Sequence, residues 1–247
     1  MRWLRNCIAA FRFLTILPFP GSFGSAGDDL RGSLPWFSLV GLILGGFAAA
    51  GAWLAWQILP APVAAVALTF FLLSFSGAMH LDGLADSADG FFSARGRQEM
   101  LVIMRDSRIG VMGVVALVMV LLLKTSCLGT LSLDAVVRAG LLIPLAGRCA
   151  LVLMVTLLPY VRPEGGLATT LYAGRSFPAL LLALMVLVFA GYAVLGLLGI
   201  VAVAAAMLSV LVFAWYCRGK IGGATGDTLG ASCELAETAV ALALAGQ

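Results

Sequence analysis

Long apolar stretches separated by short polar segments dominate the chain. A membrane-spanning helix needs roughly 20 mostly apolar residues, and six stretches reach about that length. They cover roughly residues 36–59, 61–79, 110–131, 135–158, 178–197 and 198–217. Pro60 and Pro62 separate the first pair, whereas the last pair shares one apolar run that must turn near Gly196–Gly199. The pattern predicts an all-α, polytopic membrane bundle that forms one integral domain over residues 1–247.

The N-terminal stretch MRWLRNCIAAFRFLTILPFP has a different pattern. Arg2, Arg5 and Arg12 share one face of a helix, and apolar side chains such as Trp3 and Phe11 share another. Helices with this distribution lie in the headgroup plane of a membrane. We expect an interfacial helix here in addition to the six spans, with a seventh span as the alternative.

Composition agrees with a membrane protein. Hydrophobic residues make up 62% of the chain and charged residues 11%, whereas soluble domains carry about 25% charged residues. The five cysteines are scattered and lack CxxC spacing, which argues against both a disulfide framework and a zinc site. We expect lipid and no nucleic acid as partners, and the sequence leaves open whether the chain forms a homo-oligomer.

Charged residues concentrate on one side of the predicted bundle. With the N-terminus in the cytoplasm, the cytoplasmic segments are 1–35, 80–109, 159–177 and 218–247. They hold most of the 15 basic residues, as the positive-inside rule requires, and nearly all of the 12 acidic ones. Any chemistry is therefore expected at the cytoplasmic face.

The segment HLDGLADSADGFF contains the only histidine of the chain, His80, and three aspartates. In a helix, Asp82, Asp86 and Asp89 lie on one face. Two carboxylates about 6 Å apart repel by roughly 3 kcal/mol at an effective dielectric near 20 unless a cation lies between them. For His80, a hydrogen-bonding anchor at a span boundary is the simpler interpretation, and a catalytic base is the alternative.

A second polar motif, RDSRIG, begins the third span. Arg105 and Arg108 flank Asp106, and guanidinium groups match the geometry of phosphate oxygens. The motif is a candidate site for a phosphorylated substrate.

The third motif is GKIGGATGDTLGASCELAE, residues 219–237. Gly223 and Gly226 belong to a glycine-rich loop whose amides could cradle phosphate, although Lys220 precedes the glycines and a Walker motif is excluded. Asp227 and Glu234 can share a helical face. Because the aspartates of the first motif cannot complete an octahedral site alone, we expect the first and third motifs to form one site.

Two basic residues, Lys124 and Arg148, fall inside predicted spans without an evident acidic partner at membrane depth. Intramembrane charge is costly and often functional. A deep polar cavity open to the cytoplasm would accommodate both side chains.

Each polar loop alone could be a solvated turn. Two carboxylate clusters accompanied by arginines are instead typical of a magnesium site that binds a pyrophosphate substrate. Alternatives are a CDP-alcohol phosphotransferase and a transporter. The phosphotransferase would carry DGxxAR, but here one residue too many separates Asp89 and Gly90 from Ala94 and Arg95. A transporter would be expected to carry a carboxylate or a broken helix near the bilayer midplane, whereas the candidate acids lie at the inner edge.

HLDGLADSADGFF, MRDSRIGVMG and GGATGDTLGASCELAE, in this order around apolar spans, resemble the cobalamin synthase family, the adenosylcobinamide-GDP ribazoletransferases. The resemblance extends from FRFLTILPFP to the last motif. It implies a magnesium-dependent enzyme of the bacterial inner membrane whose active site faces the cytoplasm. Such an enzyme joins adenosylcobinamide-GDP to α-ribazole, or to its 5′-phosphate, and releases GMP.

The resemblance also suggests roles for individual residues. The metal ligands would be Asp82, Asp86, Asp89, Asp227 and Glu234, and Asp82 and His80 would be catalytic. The substrate-binding residues would be Arg105, Asp106, Arg108, Lys220, Gly223, Gly226, Lys124 and Arg148. The general base is left open between His80 and a carboxylate that does not bind metal.

Overall fold

The computed structural model describes residues 1–19, 21–162 and 167–245. Its helices are α1 (Arg2–Leu14), α2 (Gly27–Arg31), α3 (Phe37–Ile58), α4 (Ala61–Ser74), α5 (Met79–Phe91), α6 (Arg97–Ile103), α7 (Val111–Gly129), α8 (Leu133–Leu157), α9 (Leu167–Ala173), α10 (Phe177–Ile221) and α11 (Gly226–Ala245). Apart from one bridge between Tyr160 and Ala224, these ranges contain no β-structure. The predicted all-α class is confirmed.

Five of the described helices, α3, α7, α8, α10 and α11, are long and apolar enough to cross a membrane. The bent pair α4 and α5 makes a sixth candidate. The predicted polytopic bundle is thereby confirmed, and its candidate spans number six when α10 is counted once. Their outer surfaces carry large exposed apolar side chains, among them Phe47, Phe70 and Trp215, as expected for helices in contact with lipid.

The second predicted span, 61–79, is shorter than expected. Helix α4 ends at Ser74 and α5 begins at Met79, and the two helices are bent by 89°. Gly77 and Ala78 both have φ near +60° at this bend, at 58° and 59°, a conformation that glycine adopts easily and alanine rarely. Because of this bend, α5, which carries the three aspartates of the first motif, runs almost perpendicular to α4.

The last two predicted spans form the two halves of α10. A straight helix of 45 residues would be about 68 Å long, roughly twice the thickness of the hydrocarbon core. Gly196, with φ 59° and ψ −136°, interrupts it. The backbones of Gly191 and Gly199 are in contact on either side of the break, so α10 folds back on itself as a hairpin. The predicted turn near Gly196–Gly199 is confirmed.

The C-terminal segment is the main correction to the predicted architecture. Residues 218–247 were expected to be cytoplasmic, but α10 continues to Ile221 and α11 is a largely buried candidate span. It packs against α5, α7, α8 and α10. Polar residues such as Thr228, Ser232 and Glu234 interrupt its apolar pattern, and they are buried inside the bundle instead of solvated.

Helix α8 is the centre of the fold. Every residue from Leu142 to Thr156 is buried, which is typical of a helix enclosed by others. At the periphery, α1 is confirmed as a helix that buries Ala9, Ala10 and Leu14. Its position in the headgroup plane stays a prediction.

Candidate functional site

Helices α5 and α11 pack closely through glycines. A Cβ atom at Gly83 would lie 2.6 Å from the main-chain oxygen of Asp227, and one at Gly230 would lie 3.0 Å from the main-chain oxygen of His80. Small residues permit this close approach of helices in membranes. The contact brings the first and third sequence motifs together, as the sequence predicted.

Three carboxylates converge where the two helices meet. Asp82 is exposed, whereas Asp86 and Asp227 are partly buried. The carboxylate of Asp86 is repelled by those of Asp82 and Asp227 and is attracted by the guanidinium of Arg162. This arrangement has an excess of negative charge that a bound cation would offset.

The carboxylate of Asp89 contacts the N-terminus of α7. It accepts hydrogen bonds from the main-chain nitrogens of Gly110, at 2.6 Å, and Gly113, at 2.8 Å. These nitrogens belong to the N-terminus of α7, where a carboxylate is stabilising because of the exposed N–H groups and the helix dipole. Both oxygens of Asp89 therefore fix α7 against α5, and its role as a metal ligand stays a prediction.

Arg162 is a site residue that the motifs did not reveal. Its guanidinium donates a hydrogen bond to the carboxylate of Asp227. The chain next to it is held by main-chain hydrogen bonds of Val161 to Ala224 and of Ala224 to Pro159. The only sequence signal for Arg162 is a basic residue just after a span, which is common in membrane proteins.

Three cavities surround this group of side chains. The inner cavity, of about 280 Å³, is lined by His80, Asp82, Arg162 and Asp227 together with apolar residues such as Leu151. It extends from the α5–α11 contact into the bundle.

The other two cavities share a wall formed by Arg105. The acidic cavity, of about 470 Å³, contains Asp82, Asp86 and Asp106 as well as Arg105. The arginine cavity, of about 620 Å³, is lined by Arg105 and Arg162 and by a third arginine, Arg97. Asp82 is thus common to the inner and acidic cavities, and Arg162 is common to the inner and arginine cavities.

Within the RDSRIG motif, the structure separates the two arginines. The Arg108 guanidinium donates hydrogen bonds of 2.9 and 2.6 Å to the Asp106 carboxylate. The hydrogen bonds from Arg108 lower the pKa of Asp106 to about 2. Asp106 and Arg105 line the acidic cavity, and Arg108 does not. Their predicted roles in substrate binding stay predictions.

The glycine-rich segment is less open than a phosphate cradle would be. Gly223 lies directly against the main-chain oxygen of Pro159, where a side chain would not fit. Gly226 lines the inner cavity. The ammonium of Lys220 lies 3.4 Å from the main-chain oxygen of Phe91 and above the ring of Tyr216.

A buried ion network lies deeper in the bundle and corrects the interpretation of Lys124 and Arg148. Lys124 Nζ lies 2.7 Å from Glu234 Oε2 and 2.9 Å from Glu237 Oε2. Arg148 Nη1 lies 2.7 Å from Glu237 Oε1. The two positive and two negative charges of this network balance. Its ion pairs link α7, α8 and α11. The expectation that Lys124 and Arg148 lack acidic partners was wrong, because the C-terminal acids lie in a buried helix.

His80 lies between this network and the inner cavity. It is almost completely buried, and its Nε2 atom has no hydrogen-bond partner among the described residues. The charges that act on it are those of Arg148, Glu237 and Lys124. His80 is therefore placed to contact a molecule in the inner cavity.

The donor set at the α5–α11 contact suits a hard cation. Carboxylate oxygens are preferred by Mg²⁺, which commonly uses one or two protein carboxylates together with substrate phosphates and waters. Within the described residues, no group of three or more His, Cys, Asp or Glu side chains is arranged to hold a metal ion. Glu234 has Lys124 as its partner instead.

The close packing of α5 and α11 gives a direct prediction. Gly83→Ala is expected to lower the thermal unfolding midpoint in detergent, since its Cβ would force the helices apart at an overpacking cost of about 1–3 kcal/mol. Gly46→Ala in α3 is the matched control, because nothing lies within 4 Å of its added Cβ. Equal midpoints for the two variants would contradict the packing of this interface.

Comparison with known proteins relates the chain to one family. Residues 6–245 match the family described as cobalamin-5-phosphate synthase. A protein of Roseiflexus sp. (strain RS-1) named adenosylcobinamide-GDP ribazoletransferase is 42% identical over 242 residues, with 95% of this chain and 86% of the relative covered.

Two further relatives carry the same name. The protein of Pseudomonas putida (strain GB-1) is 42% identical over 250 residues, covering 96% of this chain and 97% of its own length. The protein of Acetivibrio thermocellus is 33% identical over 238 residues, covering 96% of each chain. No solved structure matches the chain.

Proposed function

The chain belongs to the cobalamin-5-phosphate synthase family, and on this basis we propose that it is an adenosylcobinamide-GDP ribazoletransferase. It joins adenosylcobinamide-GDP to α-ribazole, or to its 5′-phosphate, and releases GMP in the last steps of cobalamin assembly. The relatives' shared name supports this activity over a CDP-alcohol phosphotransferase or a transporter. The structural observation that carries the proposal is the convergence of Asp82, Asp86, Asp227 and Arg162 at the junction of three cavities.

The reaction is a displacement at phosphorus. A ribose hydroxyl of α-ribazole attacks the phosphorus on the cobinamide side of the diphosphate and forms a new P–O bond. The bond from this phosphorus to the bridging oxygen breaks, and the electron pair leaves with GMP. Such a transfer needs in-line positioning and charge neutralisation more than covalent participation of the protein.

The protein supplies the proton acceptor and the anion contacts. His80 lines the inner cavity and is one candidate for the group that takes the hydroxyl proton, and the alternative is a carboxylate that does not bind metal. Arg162 is placed to exchange its contact with Asp227 for one with a diphosphate oxygen, since guanidinium groups bind both carboxylates and phosphates.

We also propose that the enzyme depends on magnesium, and the carboxylates at the α5–α11 contact support this proposal. We assign Asp82, Asp86 and Asp227 as the side chains that would hold Mg²⁺ together with the diphosphate. Glu234 is left out because it pairs with Lys124, and Asp89 because its carboxylate accepts hydrogen bonds from main-chain nitrogens of Gly110 and Gly113. When bound, the ion would offset negative charge on the reacting phosphate as a Lewis acid.

The activity is tested with the purified full chain in detergent. Adenosylcobinamide-GDP and α-ribazole with Mg²⁺ should yield GMP and a cobalamin product in equal amounts, and removal of Mg²⁺ by a chelator should stop both. GMP formation without the cobalamin product would indicate hydrolysis and contradict the proposal. Absence of both products with either form of the acceptor would also contradict it.

The proposed location is the bacterial inner membrane, with the α5–α11 contact at the cytoplasmic face. With α10 crossing twice and α11 once, the residues after α11 lie on the opposite side from the loop between α5 and α6. Alkaline phosphatase fused after Ala245 should therefore be active, and the same enzyme fused after Ser93 inactive. Equal activity of the two fusions would contradict this topology.

A further inference from the structure

The arginine cavity is chemically distinct from the two cavities beside it. Its lining includes Arg97, Arg105 and Arg162, and no carboxylate occurs among the described residues that line it. The inner cavity contains Asp82 and Asp227, and the acidic cavity contains Asp82 together with other aspartates. Its volume of about 620 Å³ lies within the range of roughly 300–1,000 Å³ that is usual for small-molecule sites.

Separate parts of the chain supply these arginines. Arg97 begins α6, and its guanidinium lies against Gly222 in the turn between α10 and α11. Arg105 follows the end of α6, and Arg162 follows α8. Guanidinium groups from three separate places therefore face one cavity, and one of them, that of Arg162, is paired with Asp227. Phosphate oxygens match their donor geometry.

The position of the cavity indicates which phosphate it receives. The diphosphate carries the reacting phosphorus, so it must reach Asp82, Asp86 and Asp227 together with the cation they hold. Arg162 separates the arginine cavity from these carboxylates, with its side chain bound to Asp227. An anion in the arginine cavity is thus next to the reaction centre without being part of it.

We propose that the arginine cavity binds the 5′-phosphate of the riboside acceptor and that Arg97 is a specificity-determining residue for it. This phosphate is a monoester that takes no part in the displacement, and the family description, cobalamin-5-phosphate synthase, names a product that keeps it. The inference rests on the proposed function, since it assigns one substrate group to one cavity of that site.

The test compares two acceptors on the purified full chain in detergent, with saturating adenosylcobinamide-GDP. Arg97→Gln should raise the KM for α-ribazole 5′-phosphate by at least about tenfold, as expected for loss of a hydrogen bond to a charged group. The KM for unphosphorylated α-ribazole should change less than about twofold, as should the KM for adenosylcobinamide-GDP when that substrate is varied at saturating α-ribazole. Arg97→Lys, which keeps the charge, should recover part of the loss.

Arg95→Gln is the matched control. Arg95 is also exposed and lies two residues before Arg97, but it does not line the cavity. A similar KM increase for both acceptors would overturn the proposal, as would an increase confined to adenosylcobinamide-GDP, which would assign the cavity to the nucleotide. Wild-type protein that forms no product with either acceptor would instead contradict the proposed function itself.

Discussion

Replacement of Asp82 by asparagine is expected to lower the rate of GMP release by about a thousandfold. The change removes a negatively charged oxygen donor that faces both the inner and the acidic cavity. Loss of metal-assisted stabilisation of the transition state raises the activation free energy by several kcal/mol, and each 1.4 kcal/mol corresponds to a factor of about ten in rate. The initial rate with saturating adenosylcobinamide-GDP and α-ribazole measures the effect.

Asp134→Asn provides the control for this experiment. Asp134 is exposed, pairs with Arg138 at 3.0 Å, and lies at the start of α8 outside the described cavities. Its replacement should leave the rate unchanged. The thermal unfolding midpoint of Asp82→Asn should stay at or above that of the wild type, because the change relieves repulsion with Asp86. An Asp82→Asn enzyme with a wild-type rate of GMP release would contradict the placement of Asp82 in the reaction centre.

Lys124→Met is expected to be the most destabilising single change. Lys124 is fully buried and contacts both Glu234 and Glu237, so methionine would leave two carboxylates with only Arg148 as a cation. Removal of one partner of a buried ion pair costs about 3–5 kcal/mol. The thermal unfolding midpoint in detergent should fall well below that of the wild type.

A second substitution separates this charge imbalance from loss of packing. In Lys124→Met/Glu234→Gln, the remaining pair of Arg148 and Glu237 is neutral, and the midpoint should recover in part. Arg138→Met is the control, since its exposed pair with Asp134 contributes only about 0.3–0.5 kcal/mol. A double variant as unstable as Lys124→Met alone would contradict a charge-balanced network.

The sequence predicted the spans well because they depend on local hydropathy. The predicted 36–59 and 135–158 correspond closely to α3 and α8, and the turn at Gly196 followed from a run too long for one crossing. Helix α11 was not recognised as a span because Glu234 and Glu237 interrupt its apolar pattern. Their burial depends on Lys124 and Arg148 in other helices, and no local pattern contains that information.

The part of the site that depends on local helical spacing was also predictable from the sequence. Asp82 and Asp86 lie four residues apart, so helical geometry alone placed them together. The same spacing rule suggested Asp89, whose carboxylate is instead used by the N-terminus of α7. Arg162 reaches Asp227 through a non-local backbone contact between Tyr160 and Ala224. Such long-range contacts required the three-dimensional structure.

The most direct test of the central claim, that α5 and α11 form one reaction centre, is a double-mutant cycle between Asp86 and Asp227. The measurement is the initial rate of GMP release by Asp86→Asn, Asp227→Asn and the double variant over a Mg²⁺ titration. Residues that act as one unit are strongly non-additive. The account predicts that each single change lowers the rate by about a hundredfold and that the double variant is little slower than either. Losses that multiply, with an unchanged Mg²⁺ dependence in Asp227→Asn, would contradict a shared site.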